Sequence, residues 1–178
     1  YNRYYEVNTD PVPNWMSHIV MASLMAFLPP LIAEKILVSG YVILFVFGFY
    51  YLLNAVDSSK TFYVLLVFPF IYNYLFHMGF YNFSLSIPLT FIAIGYWWTH
   101  RDKLNWRETL VLNLLLILLY FCHLVSLVVA LMSIFILAVL HHKVKIHRVF
   151  LLALSLIPSY LLPIYYVQSR GTGRIGRW

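Results

Sequence analysis

Cysteine occurs once, at Cys122, so the chain can form neither an internal disulfide nor a cysteine-rich metal site. Acids are scarce: Glu6, Asp10, Glu34, Asp57, Asp102 and Glu108 are the whole set. Each lies in or beside a polar break, and none sits in the middle of a long apolar run. That removes the simplest signature of an ion pump or proton-coupled carrier, an intramembrane carboxylate. No two histidines fall at i, i+4 on one predicted helix, which excludes the usual zinc motif. No internal repeat is visible. No basic stripe lies on a soluble element, so nucleic acid is excluded as a partner. The net charge of +6 reads instead as membrane topology and lipid headgroup contact.

What is abundant is apolar surface. Hydrophobic residues make up 62% of the 178 residues, charged residues only 10%, and the mean hydropathy is +0.80. A soluble domain of this length could not hide so much, so lipid must be the solvent for much of it. The expected fold is all-α: a polytopic transmembrane helix bundle of about six spans plus one short interfacial helix. The chain is read as one transmembrane domain. Residues 1–35 form the end of an external loop with its interfacial helix, 36–167 the spans, and 168–178 the start of another external loop. It opens without Met in a Tyr-rich stretch and stops soon after an apolar run, which reads as a piece of a longer multi-pass protein, of a bacterial plasma membrane.

The prolines of Asp10-Pro11-Val12-Pro13-Asn14 forbid helix before Asn14, which is placed to cap a helix from Trp15 to Leu28. That helix ends at Pro29-Pro30 and is too short to cross a core of roughly 30 Å. Ile36–Val56 is long enough to span, and 57–60 breaks it. Thr61–Phe76 is a short apolar stretch holding Pro69, followed by a second break at 77–82. Phe83–Trp98 spans next, with a kink expected at Pro88 and an interfacial anchor at Trp97-Trp98. Glu108–Leu140 as one helix would be about 50 Å long, too much for a bilayer, so two helices meeting near Cys122-His123 fit better. Val149–Val167 spans last, bent by Pro158 and Pro163.

Arg101, Lys103, Arg107, Lys143, Lys145 and Arg148 make the breaks at 100–107 and 141–148 cytoplasmic. Counting spans then places 77–82, His123 and the tail outside, with Arg170, Arg174 and Arg177 against the rule. On this topology Glu6, Asp10, His18, His77, Tyr81, Asn82, His123 and Arg170 collect at the external face. A carboxylate there, Asp10 first and Glu6 second, suits taking a proton from an acceptor hydroxyl or holding a divalent metal ion. Imidazoles and an arginine suit a phosphate leaving group. Gly79, two residues after His77, lets the backbone turn tightly or approach a ligand. The plain alternatives are a turn residue for Asp10, an interfacial histidine satisfied by water for His77, and a cap on the turn between two helices for His123. A transporter or flippase for a lipid-linked or amphipathic solute, with Pro69, Pro88, Pro158 and Pro163 bending moving helices, is the competing class. A non-catalytic membrane scaffold is the third.

The layout resembles the N-terminal module of GT-C glycosyltransferases, membrane enzymes that move sugars from polyprenyl-phosphate donors on the non-cytoplasmic side. Asp10-Pro11-Val12-Pro13-Asn14-Trp15 through Pro30 looks like the end of that family's first external loop, and Ala33-Glu34-Lys35-Ile36 like the entry to the next span. Phe68-Pro69-Phe70 with His77-Met78-Gly79-Phe80-Tyr81-Asn82-Phe83 looks like the approach to its second motif, where Asn82 stands in place of the acid many relatives carry. The resemblance implies sugar transfer from a lipid-phosphate donor. Asp10 or Glu6 would act as base or metal ligand, His77, His123 and the tail arginines would meet the donor phosphate, and Tyr81 and Trp15 would stack on sugar or lipid.

Overall fold

The computed structural model describes residues 10–142 and 146–171. Glu6, Lys143, Lys145, Arg174 and Arg177 lie outside them. Among the described residues the chain is all-α, without a strand. The helices are α1 (Met16–Met25), α2 (Pro30–Val56), α3 (Phe68–Ile71), α4 (Tyr74–His77), α5 (Tyr81–His100), α6 (Trp106–Cys122), α7 (Leu124–His142), α8 (Ile146–Ser155) and α9 (Ile157–Gly171), with a 3-10 helix at Ser58–Val67.

The expectation of about six spans is corrected. Among the described residues two helices are long and apolar enough to cross a bilayer, α2 and α7. A third span exists if α8 and α9, bent by 60° at their junction, count as one. The shortfall has physical causes. Residues 61–76, expected as one apolar segment, are split between the 3-10 helix and two four-residue helices. Thr61, Phe62, Tyr63 and Val64 carry little helical preference, and Pro69 at the start of α3 has no N–H with which to continue the preceding ladder. α5 has the length, but buries Ser84, Ser86 and Thr90, and its polar content keeps it below membrane-spanning hydropathy. The long 108–140 run does divide, at His123, whose extended φ of −164° ends α6. The last apolar segment breaks at Leu156, ahead of Pro158.

α2 shows why lipid is the solvent for this surface. Beyond Glu34 and Lys35 it is apolar on nearly every side, yet only Ala33, Leu37, Tyr41, Phe45 and Gly48 are buried, one stripe at i, i+4 and finally i, i+3 spacing. Its other sides expose Leu31, Ile43 and Phe47. Apolar side chains also stand out from α7 and α8, among them Met132 and Phe150. Contiguous apolar surface on this scale belongs against a membrane. α2 starts at Pro30 rather than Ile36, because proline is favoured in a first helical turn whose N–H groups need no intrahelical partner.

α2 and α5 run in the same direction. Glu34 near the start of α2 accepts a hydrogen bond from Tyr81 at the start of α5, and Gly95 late in α5 meets Tyr51 and Leu52 late in α2. The 3-10 helix, α3 and α4 carry the chain back between them. α6 then runs opposite to α5, and α7 opposite to α6. The result has two ends. One gathers residues 10–18, 77–82 and 123. The other gathers Asp57, His100–Arg107 and His141, whose Nε2 lies 2.9 Å from Asp102 Oδ1. We call these the site end and the basic end.

Among the described residues two buried clusters fill the interior. One joins Trp97, Leu112, Leu116, Leu127 and Ile134 across α5, α6 and α7. The other joins Tyr41, Phe45, Ile71, Phe76 and Leu85, with the free thiol of Cys122 buried beside them. Gly48 and Pro88 bring α2 against α5 so closely that a Cβ on Gly48 would lie 2.7 Å from the Pro88 carbonyl oxygen.

Candidate functional site

The residues between Asp10 and Trp15 form a strap over the end of α6. The Trp15 N–H donates to the Phe121 carbonyl at 2.8 Å, and the Tyr120 hydroxyl donates to the Pro11 carbonyl at 2.6 Å. With its prolines the strap cannot satisfy itself as helix, so α6 supplies its partners. Asn14 does not cap α1. It adopts φ +68°, and its carbonyl accepts from Asn82 Nδ2 at 2.6 Å. The other side of the Asn82 amide accepts from the Ser17 N–H at 2.7 Å, one of the unpaired donors in the first turn of α1.

Asn82 thereby fastens α1 onto the start of α5 and brings four expected site residues together. His18, Tyr81, Asn82 and His123 line one pocket of about 470 Å³. His18 Nδ1 lies 3.5 Å from Asn82 Nδ2. Gly79 also lines the pocket, and its φ of +79° makes the tight turn between α4 and α5. His123 stands outside α6 and α7, edge-on to Phe83 with ring centroids 5.1 Å apart. Among the described residues its buried Nδ1 has no hydrogen-bond partner, and burial pushes the imidazole below its ordinary range. A neutral imidazole with a free ring nitrogen beside a pocket can accept or relay a proton. Burial, and then the Glu34 carboxylate, push the Tyr81 phenol up.

Phe83 lines a second cavity as well. This one, of about 660 Å³, has walls of Phe45, Phe49, Leu66, Phe70 and Phe91. The polar pocket and the aromatic groove therefore share a wall.

Three expected residues stand apart from the pocket. Asp10 is at the site end but faces α9, where the Tyr165 hydroxyl reaches its Oδ1 at 3.4 Å. Arg170 lies over the ring of Tyr166, 5.1 Å from its centroid. His77 ends α4 among Tyr72 and Phe76 and does not line the pocket. Glu6, the second candidate base, lies outside the described residues. Among the described residues no three His, Cys, Asp or Glu side chains come together to hold a metal ion. Sequence reasoning missed Ser17 and Phe83 as pocket residues and Glu34 as the partner of Tyr81. No local signal pointed to Ser17, which matters through its backbone N–H alone. No protein-family model, curated protein or solved structure matches the chain.

Proposed function

We propose that this chain is part of a multi-pass membrane protein, of a bacterial plasma membrane, that transfers a sugar from a lipid-phosphate donor at its site end. The observation that carries the reading is the shared Phe83 wall. A polar pocket bearing His18, Asn82 and His123 abuts an aromatic groove, and an amphipathic phosphate ester needs both. In this reading the hydrocarbon chain lies in the groove and the phosphate meets the imidazoles. Tyr81 stacks on the sugar. Asp10, on the α9 side of the pocket, takes the proton of an acceptor hydroxyl that enters from that side. That oxygen forms the new bond to the anomeric carbon, and the sugar–phosphate bond breaks, its electron pair leaving on the phosphate. His18 and His123 stabilise the charge that collects there.

The test uses the full chain in liposomes with a polyprenyl-phosphate hexose labelled in the sugar. Label transferred or released, with free polyprenyl phosphate appearing in equal amount, supports the reading. Asp10→Asn should abolish it while leaving the protein inserted; retained transfer would remove Asp10 from the base role. Label that crosses into the lumen on an intact donor would mean transport instead.

A further inference from the structure

We infer that the basic end carries a second site, for the phosphate of a phospholipid headgroup, in the cavity between α5, α6 and α8. The cavity measures about 360 Å³, within the range of small-molecule pockets. Trp97 and Arg101 line it from α5, Leu104 and Thr109 from the approach to α6 and its first turns, and Leu151 and Ser155 from α8. Trp97 and Arg101 are four residues apart, and Arg101 keeps helical dihedrals just past the end of α5, so the two share one face.

Two donors in that wall lack an acceptor. Trp97 is 0% exposed, and among the described residues its indole N–H has no hydrogen-bond partner. The same holds for Arg101 Nε, whose nearest carboxylate oxygen, Asp102 Oδ2, is 3.9 Å away, beyond hydrogen-bond range. Buried donors are almost always paired, because leaving one unpaired forfeits its bond to water. Arg101 is also held in place: Nη1 donates to the Trp98 carbonyl, and the guanidinium lies 4.3 Å from the Trp98 ring centroid. Asp102 shares the lining, but its Oδ1 is engaged by His141 Nε2 at 2.9 Å. The indole N–H and Arg101 Nε are thus donors in search of an acceptor, and the Thr109 hydroxyl faces the same space. A phosphate oxygen suits that set, and arginine is the side chain best shaped for it.

The surroundings select a lipid over a free ion. Leu104, Leu151 and Leu152 supply apolar wall, and Phe150, Leu151 and Leu154 stand exposed along α8. The Trp97–Trp98 pair sits at the same level, as aromatic side chains do at a membrane–water boundary. This site is at the opposite end from the sugar-transfer pocket and stands or falls independently of it.

Native mass spectrometry on the full chain in detergent tests this, with dioleoylphosphatidylglycerol, dioleoylglycerol and inorganic phosphate as probes. The phosphate-bearing lipid should bind at least about tenfold tighter than dioleoylglycerol, as expected for charge-assisted hydrogen bonds. Arg101→Gln should weaken it by about tenfold, and Trp97→Phe, which keeps an aromatic ring without the N–H, by about threefold or more. Arg107→Gln, a basic residue of the same end that stacks on Trp106, should leave it unchanged. Should Arg101→Gln fail to fold, Trp97→Phe decides. Equal retention of the two lipids, or unchanged binding in Trp97→Phe, would overturn the site. Competition by inorganic phosphate at concentrations equal to the lipid would overturn the lipid assignment in favour of a free anion.

Discussion

Asn82 Nδ2 lies 2.6 Å from the carbonyl oxygen of Asn14, and through that bond the start of α5 holds the strap that precedes α1. The amide is bifunctional: it donates to Asn14 while its oxygen accepts from the Ser17 N–H. No carboxylate can do both, which gives asparagine at this position a reason. Asn82→Asp should set an anion against the Asn14 carbonyl and destabilise the protein by about 2–3 kcal/mol. Asn82→Leu should cost a similar amount by leaving both partners unpaired. Thermal unfolding in detergent checks both. A melting temperature for Asn82→Asp equal to wild type would remove the clamp.

Gly48→Ala should loosen the contact between α2 and α5. Its Cβ would sit 2.7 Å from a backbone oxygen of Pro88, which has no flexible side chain to yield. The expected loss is about 1–3 kcal/mol. Gly40 lies on the same helix with nothing within 4 Å of a Cβ, so Gly40→Ala should be neutral or stabilise by about 0.5–1 kcal/mol. Comparing the two melting temperatures separates crowding from helix propensity.

The turn after α2 should make stability depend on pH. The Ser59 hydroxyl donates to Asp57 Oδ1 at 2.7 Å and the Ser59 N–H at 3.0 Å, with Lys60 Nζ 3.4 Å from Oδ2. The Ser59 hydroxyl first, then its N–H, hold the carboxyl below its ordinary value of 3.8. A depressed carboxyl pKa favours the folded state above the unfolded value. That contribution is lost as pH falls through the folded value. The stability gap between wild type and Asp57→Ala should therefore be constant above about pH 5 and narrow below pH 4. A gap that widens on acidification would contradict the bonds to Ser59.

Asn113 secures the bend between α8 and α9. Its Nδ2 donates to the Ser155 carbonyl at 3.0 Å and to the Thr109 carbonyl at 2.9 Å. Ser155 ends α8, where its carbonyl would otherwise lack an intrahelical partner. Asn113→Leu should cost about 1–3 kcal/mol. Protease sensitivity at the α8–α9 junction should rise with it. Unchanged stability and cleavage would mean the bend is held by other contacts.

The sequence revealed the class of the fold more readily than the paths of its helices. Hydropathy marked α2 and α7, and the combined length of α6 and α7 pointed to the break at His123. Counting apolar stretches as spans failed at 61–76, where residues of low helical preference before Pro69 yield a 3-10 helix. At 149–167 the expected bend is there, 60° at Leu156, where Pro158 withholds the N–H that would carry the ladder across. At the site, breaks between apolar runs located His18, Tyr81, Asn82 and His123, because polar residues gather where helices end. The clamp was not legible. It depends on backbone groups of Asn14 and Ser17, and a side-chain pattern carries no trace of which carbonyl an asparagine will meet. The separation of Asp10 and Arg170 from the pocket was hidden for the same reason: both are held by aromatic side chains of α9.

The central claim is that His18 and His123 belong to one site at one face of the membrane, opposite Asp102. Single cysteines at these three positions, in a Cys122→Ser background of the full chain in sealed, uniformly oriented vesicles, can be treated with an impermeant thiol reagent. Labelling of positions 18 and 123 from the same side, with position 102 reached only from the other, is the predicted result. Labelling of 18 and 123 from opposite sides would mean that the pocket does not exist in the membrane, and the sugar-transfer reading would fall with it.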